Sequence, residues 1–132
     1  MRILITDDDI TNRLVVRLLM ELRGFSVLEA SGGNEAAHVL SEESVDAVFM
    51  DIHMPEMDGY DSTRMLRAGV LGDRIPVFAL TSATSDETRQ KCIDSGMNGF
   101  IRKPFDAGMA EQVHQALERW GAGGDSATWL VG

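Results

Sequence analysis

Acidic residues follow two short apolar stretches of the chain, and their positions could support chemistry. Asp51 follows the apolar run Val45–Met50, and Asp7 and Asp8 follow the run Arg2–Thr6. A short apolar run closed by turn residues is typical of a buried parallel strand. The carboxyl end of such a strand lies in the crevice where open α/β sheets bind ligands. If these two strands are neighbours, three carboxylates meet at one edge of a sheet.

Three carboxylates in one place repel one another, so the cluster is costly to hold without a cation. The simplest solution is a bound divalent metal. Oxygen ligands with room for water favour Mg²⁺. His53 lies close by in the sequence, but its imidazole is not an expected ligand because Mg²⁺ prefers oxygen. We therefore predict Mg²⁺ as the cofactor.

Two more polar residues end apolar runs. Thr81 follows Val77–Leu80, and Lys103 ends the run that begins at Gly99. In a parallel sheet they share the rim with the acids. A carboxylate such as Asp51 can act as a nucleophile and hold a phosphoryl group as an acyl phosphate. The lysine and the hydroxyl could then neutralise and position the phosphoryl oxygens, as phosphoryl transfer requires.

The elements that position these residues alternate along the chain. Strand-like runs alternate with segments of helical period, which predicts an α/β fold built from βα units around a parallel sheet. The predicted strands are Arg2–Thr6, Ser26–Ala30, Ala47–Met50, Val77–Leu80 and Gly99–Arg102, and the predicted helices are Thr11–Arg23, Asn34–Leu40, Tyr60–Ala68, Thr84–Ser95 and a fifth that follows a cap at Asp106. In the first helix one apolar face, typical of a helix packed on a core, is made by Leu14, Val15, Leu18, Leu19 and Leu22.

The length of 132 residues predicts one domain. We place this domain at residues 1–120 and a flexible tail at 121–132, because Gly121–Ala127 has the composition of a linker. Trp129–Val131 is unusual for a free tail and could dock on a partner, but a frayed terminus is the simpler interpretation. The single Cys92 lies in a helical pattern and is interpreted as a buried apolar residue.

Composition excludes several classes of function. The net charge of −9 argues against direct binding of nucleic acid, which needs clustered basic residues. No apolar run is long enough to span a membrane, and the N-terminus does not resemble a signal peptide. A lone cysteine fits a reducing compartment. We therefore expect a cytoplasmic protein with no membrane partner.

Four stretches together resemble the receiver domain of two-component response regulators, and most closely the receivers of hybrid histidine kinases. They are Asp7–Asp9, Met50–Gly59, Ala79–Ala83 and Gly99–Phe105, and the resemblance covers about residues 1–120. It implies a doubly wound (βα)5 fold of the flavodoxin-like type. The sheet of such a fold has five parallel strands in the order 2-1-3-4-5.

The resemblance also implies a role for each acid. Asp51 would be the phosphoacceptor. Asp8 would bind Mg²⁺ directly, Asp7 would act mostly through bound water, and the backbone carbonyl of His53 would be the third protein ligand. The phosphoryl group would come from a phosphohistidine of a histidine kinase or a histidine phosphotransfer protein. The domain would modify itself and would not turn over an external substrate, so it is not expected to be an enzyme.

The resemblance further implies a switch. Thr81 and Lys103 would contact the phosphoryl group, and Phe100 would be the aromatic residue that changes rotamer. We expect the change to reach the surface of the fourth helix, fifth strand and fifth helix, which would recruit a downstream protein. Receivers that pair through this face usually carry an acid where this chain has Asn98-Gly99, so we expect a monomer.

Two other interpretations remain open at this point. Asp7–Thr11 fits the D-x-D-x-T motif of haloacid dehalogenase-like phosphatases, with Asp7 as nucleophile and Asp9 as general acid. This alternative lacks a later acidic pair and leaves Asp51–Gly59 without a role, and Asp9 fits the simpler role of a helix cap. A flavin-binding module of similar topology is also disfavoured, because acids stand where the flavin phosphate would bind.

Overall fold

A parallel sheet with helices on both faces forms the core of the protein. The computed structural model describes residues 1–83, 85–121 and 129–131. The strands are β1 (Arg2–Thr6), β2 (Ser26–Ala30), β3 (Ala47–Asp51), β4 (Val77–Thr81), β5 (Gly99–Arg102) and β6 (Trp129–Val131). The helices are α1 (Ile10–Glu21), α2 (Gly33–Glu42), α3 (Gly59–Ala68), α4 (Asp86–Ser95) and α5 (Ala107–Gly121).

The sheet has the predicted order for its first five strands and gains a sixth. All neighbouring strands are parallel, and the order is β2-β1-β3-β4-β5-β6. The reversal of order at β1 and β3 makes a crevice beyond their carboxyl ends, where ligands bind in open α/β sheets. The predicted order 2-1-3-4-5 and the α/β class are confirmed.

β6 was not predicted. Gly99 pairs with Trp129, and Ile101 pairs with Val131, so the last strand lies along the outer edge of β5. The predicted tail otherwise falls on residues 122–128 and 132, which lie outside the described residues, so its flexibility stays a prediction. For Trp129–Val131 the backbone forms a strand because β5 offers an open row of N–H and C=O groups, which the sequence alone does not show.

Two apolar clusters pack on the two faces of the sheet. One lies under α1 and α5 and includes Phe49 and Phe78, whose rings meet edge to face at 5.8 Å between centroids. The other lies under α2, α3 and α4 and includes Phe100 and Cys92. The strands are buried on both faces, which explains their continuous apolar runs. Burial raises the pKa of Cys92 to about 11, so its thiol stays protonated.

The face of α1 that packs on the sheet differs from the predicted one. Val16 and Met20 are buried, and Leu19 packs against the same cluster. Residues on the opposite side form an exposed face, called here the α1 apolar face: Ile10, Leu14, Val15, Leu18 and Leu22. Hydrophobic period alone identified the helix but not its orientation, because α1 is apolar on more than one side.

Side-chain caps begin four of the helices, as their sequences suggest. Asp9 accepts a hydrogen bond from the backbone N–H of Asn12 at 3.0 Å, which confirms its interpretation as the cap of α1. Asp106 accepts from Met109 N–H at 2.9 Å at the start of α5. At α4 the cap is Ser85, and the predicted first residue, Thr84, lies outside the described residues.

Within the described part of the chain, no helix is both long and apolar enough to cross a membrane.

Candidate functional site

The acids converge because β1 and β3 are neighbours in the sheet. Thr6 pairs with Met50, so the residues that follow, Asp7 and Asp51, emerge side by side. Oxygens of Asp7, Asp8 and Asp51 all lie within 4.8 Å of one another. Asp7 and Asp51 are buried, and Asp8 is exposed. The structure thus brings together the three carboxylates that the sequence predicted.

Lys103 reaches this cluster from the end of β5. Its Nζ donates a hydrogen bond to Asp51 Oδ1 at 2.9 Å and lies 3.4 Å from Asp7 Oδ2. The backbone holds the lysine in place, since its N–H donates to the carbonyl of Thr81 at 3.0 Å. One amine therefore faces two buried carboxylates, and with Asp8 the four side chains carry a net negative charge.

The pKa of Asp51 reflects this crowding. Burial raises it most and the charge of Asp7 adds to the effect, while the hydrogen bond from Lys103 opposes it, and the result is a pKa of about 6. For Lys103, burial alone lowers the pKa, but the hydrogen bond to Asp51 and the charges of both acids outweigh it and raise the pKa. Asp51 is therefore ionised above about pH 6 only at an electrostatic cost.

The cluster fits a hard divalent cation. Asp7 Oδ1 accepts from the N–H of Asp9 at 2.9 Å, but its Oδ2 is buried without a hydrogen-bond partner. The Lys103 ammonium lies 3.4 Å from this oxygen, yet a buried carboxylate oxygen with no hydrogen bond is uncommon and needs an explanation. A cation held by this oxygen and by the carboxylates of Asp8 and Asp51 would provide one, and an all-oxygen donor set suits Mg²⁺.

Other predicted residues lie at the same rim with different surroundings. The Thr81 side chain is buried, and its hydroxyl accepts a hydrogen bond from Ala83 N–H at 3.0 Å, so it is already oriented by the loop after β4. His53 is exposed, and its N–H approaches Asp51 Oδ1 at 3.4 Å. Phe100 lies deeper, beside Ala79 of β4, and is 2% exposed. The metal role of the His53 carbonyl stays a prediction.

Gly59 is a site residue whose role the sequence analysis missed. It begins α3, and its N–H donates to the carbonyl of Ile52 at 2.8 Å. A Cβ at this position would overlap the backbone carbonyl oxygen of Asp51. The glycine therefore lets α3 approach the backbone of the acid closely. The dipeptide Asp58-Gly59 is typical of a turn, and a glycine so near a functional acid was the available signal for this role.

Arg13 was also missed. Its guanidinium donates to the backbone carbonyl of Asp7 at 2.7 Å and to Glu29 at 3.1 Å. It thereby ties α1 and β2 to the loop that carries the acids. The residue gave no distinctive signal, because a basic residue in a surface helix is ordinary.

Relatives of the chain are found among sensor kinases. Residues 3–118 match the family model of the response regulator receiver domain. The osmosensing histidine protein kinase SLN1 of Saccharomyces cerevisiae is 37% identical over 110 residues, which cover 79% of this chain and 9% of the kinase. The probable histidine kinase 6 of Oryza sativa is 34% identical over 136 residues, covering 89% and 14%. The chain thus spans only a small part of these curated relatives.

Solved structures agree with this relationship. The receiver domain of the sensor histidine kinase PA1611 from Pseudomonas aeruginosa, with a magnesium ion coordinated in its active site cleft, is 32% identical with a TM-score of 0.77, covering 90% of this chain and 95% of that one. The chemotaxis response regulator CheY4 of Vibrio cholerae is 28% identical with a TM-score of 0.82, covering 88% and 97%. The phosphatase alternative is not supported, and Asp9 is occupied as a helix cap. The chain belongs to the response regulator receiver domain family and is a receiver domain of two-component signalling.

Proposed function

We propose that Asp51 accepts a phosphoryl group from a phosphohistidine of a histidine kinase or a histidine phosphotransfer protein, in a Mg²⁺-dependent reaction. The observation that supports this most is the pairing of the buried Asp51 Oδ1 with Lys103 Nζ at 2.9 Å inside a cluster of acids. Among the described residues, this cluster alone combines acids able to hold a metal with a lysine partner.

The chemistry follows from the residues around Asp51. An Asp51 oxygen would form the new O–P bond while the N–P bond of the phosphohistidine breaks and its electron pair stays on the imidazole nitrogen. Lys103 would move its charge from the carboxylate to a phosphoryl oxygen. Thr81 would donate its hydroxyl to another oxygen. Asp8, Asp51 and the carbonyl of His53 would hold Mg²⁺ directly and Asp7 mostly through bound water, and the bound ion would supply positive charge that lowers the barrier.

The donor protein would dock beside the site, on the α1 apolar face. This helix starts directly after the acids, so a protein that delivers a phosphohistidine to Asp51 must come close to it. Val15 of this face also lines a cavity of about 70 Å³ together with Asp7 and Lys103. Several large exposed apolar side chains in one stripe are typical of an interaction surface.

A second surface would carry the output. Phosphorylation adds about two negative charges at Asp51, which would draw Thr81 inward and change the packing of Phe100. The effect would reach α4, β5 and α5. Because β6 pairs with the outer edge of β5, a downstream protein would meet β6 and not β5 at this edge of the sheet. The domain would be a monomer and would act in the cytoplasm without turning over an external substrate.

Acetyl phosphate with Mg²⁺ tests the acceptor. Intact-mass spectrometry of the wild-type chain should show one added phosphoryl group, and peptide mapping should place it on Asp51. The variant Asp51→Asn should remain unlabelled. The matched control is Asp61→Asn, an exposed acid of α3, which should be labelled like the wild type. Equal labelling of Asp51→Asn and the wild type would contradict the proposal.

A further inference from the structure

One arginine lies on the aromatic residue of the proposed switch. The guanidinium carbon of Arg89, on α4, is 5.7 Å from the centroid of the Phe100 ring on β5. A guanidinium within about 6 Å of a ring face is attracted to it electrostatically. Phe100 is almost fully buried, so the arginine covers a ring that already points into the protein before any phosphoryl group is present.

Within the described part of the chain, no hydrogen bond or ion pair of the Arg89 side chain accounts for its position. Its Nε is buried and has no hydrogen-bond partner. Among the described residues no carboxylate forms an ion pair with it. Burying an unpaired N–H group is costly. The contact with the Phe100 ring is therefore the interaction that is left to hold this side chain against α4 and β5.

The ring and the proposed phosphoryl ligand share one face of the sheet. Phe100 pairs with Ala79 of β4. Thr81 lies two residues further along the same strand, and alternate residues of a strand point to the same face. Movement of Thr81 toward a phosphoryl group would thus vacate space beside β5 that the Phe100 ring can fill, so phosphorylation would favour the buried ring. A contact that holds the ring buried and the phosphoryl group therefore both act on the equilibrium between the positions of the Phe100 ring.

We propose that Arg89 is a positioning residue that holds Phe100 in its buried position and so favours the phosphorylated arrangement of α4 and β5 before phosphorylation. This inference rests on the proposed function of Asp51, Thr81 and Phe100. Because the coupling between two sites is reciprocal, a residue that stabilises the buried ring must also strengthen binding of the phosphoryl group. Loss of Arg89 would then weaken binding of the phosphoryl group.

The test compares two variants of α4 that remove the same charge. Arg89→Met keeps the apolar stem and removes the guanidinium. Lys91→Met is the control, because Lys91 is exposed and lies 3.6 Å from Glu87 of its own helix. Binding of beryllium fluoride with Mg²⁺ is measured by titration, and the ring resonances of the five phenylalanines are followed by NMR, with Phe100→Leu for assignment.

Arg89→Met should shift and broaden the Phe100 ring signals and weaken beryllium fluoride binding about two- to fivefold, the effect that a partly exposed cation–π contact supports. Lys91→Met should change neither quantity. Arg89→Lys keeps a cation without the planar group and should fall between the wild type and Arg89→Met. This variant also gives a reading if Arg89→Met folds poorly.

Three results would overturn the inference. An unchanged Phe100 ring in both Arg89 variants would show that the arginine does not position it. A changed ring with wild-type affinity would show that ring position and phosphoryl binding are not coupled. An equal loss of affinity in Lys91→Met would assign the effect to charge alone. Failure of acetyl phosphate to label wild-type Asp51 would instead contradict the proposed function, so the two failures are distinguishable.

Discussion

Two charged centres lie at opposite ends of the sheet and are built in opposite ways. At the carboxyl ends of the strands, Asp7, Asp51 and Lys103 form an acid centre in which one oxygen has no hydrogen-bond partner. At the amino ends of β4 and β5, Arg67 of α3 forms a basic centre. Its guanidinium donates four hydrogen bonds. Three go to the carbonyl oxygens of Gly96 (3.0 Å), Gly72 (3.2 Å) and Ile75 (2.6 Å), and the fourth goes to Oδ1 of Asn98 (2.6 Å).

The difference separates a binding centre from a structural one. Burial lowers the pKa of Arg67, although the charge of Asp73 opposes this effect. Four of the five N–H donors of its guanidinium are already bonded to neutral oxygen atoms. Asn98 also accepts from Val77 N–H at 3.0 Å, which joins the loops before both strands. The acid centre keeps excess negative charge, which costs stability and which, in the proposed function, holds the cation needed for phosphoryl transfer. A buried charged group with hydrogen-bond partners stabilises the fold, whereas one that lacks such partners can form a binding site.

The largest expected effect is at the basic centre. Arg67→Met leaves several buried carbonyl groups without their donor, and we expect the free energy of unfolding to fall by about 2–3 kcal/mol. For a domain of this size the melting temperature should drop by roughly 6–12 °C. Thermal and urea denaturation measure both quantities. Labelling of Asp51 at a permissive temperature should be unaffected.

The control for this prediction is Arg64→Met on the same helix. Arg64 is exposed and pairs with Asp61 at 2.9 Å, and an exposed ion pair of this kind contributes about 0.2–1 kcal/mol. If Arg67→Met and Arg64→Met lowered the free energy of unfolding equally, the basic centre would contribute no more to stability than an exposed ion pair does.

The next largest effect is at the acid centre, where a substitution is expected to raise the free energy of unfolding and not to lower it. Since the pKa of Asp51 is raised to about 6, the protonated acid is favoured in the folded state, and its contribution to stability is lost as pH rises from about 4 through 6. Asp51→Asn cannot ionise, so without Mg²⁺ it should exceed the wild type by about 2 kcal/mol at pH 7.5. The raised pKa of Lys103 acts only at much higher pH.

Urea denaturation in EDTA at pH 4 and at pH 7.5 tests this sign. The advantage of Asp51→Asn over the wild type should be larger at pH 7.5 than at pH 4. Glu111→Gln, a change at an exposed acid of α5, controls for the general loss of a negative charge. A wild type that gains stability relative to Asp51→Asn between these two pH values would show that the acid centre is not under electrostatic strain.

The smallest expected effect is at the rim of the acid centre. Asp8→Asn removes an exposed carboxylate from the cluster, and we expect Mg²⁺ affinity to fall at least about tenfold, or about 1.4 kcal/mol. Because repulsion with the buried acids decreases, the metal-free protein should melt at the same or a higher temperature. Melting curves of Asp8→Asn and the wild type, recorded with and without Mg²⁺, test both expectations. Wild-type stabilisation by Mg²⁺ in Asp8→Asn would remove this residue from the ligand set.

Much of the fold and the acid centre could be predicted from residue types. The apolar runs identified β1 to β5 within a residue or so, because strands buried on both faces must be apolar. Asp7, Asp8, Asp51 and Lys103 could be assigned to one place, because the carboxyl ends of parallel strands share one edge of the sheet. Here local sequence and general topology suffice to position the side chains.

The remaining features depended on tertiary contacts. Helical period revealed α1 but not which of its apolar sides meets the sheet, and Leu14 and Leu18 proved exposed while Met20 is buried. Nothing local marks Arg67, whose acceptors lie up to 31 residues away along the chain. The raised pKa of Asp51 likewise needs the burial and the neighbours that only folding provides. Sequence determined which chemical groups reach the edge of the sheet, because strand direction places them there. Tertiary structure decided which of those groups have hydrogen-bond or ion-pair partners, because these interactions act over a few ångströms of space and not along the chain.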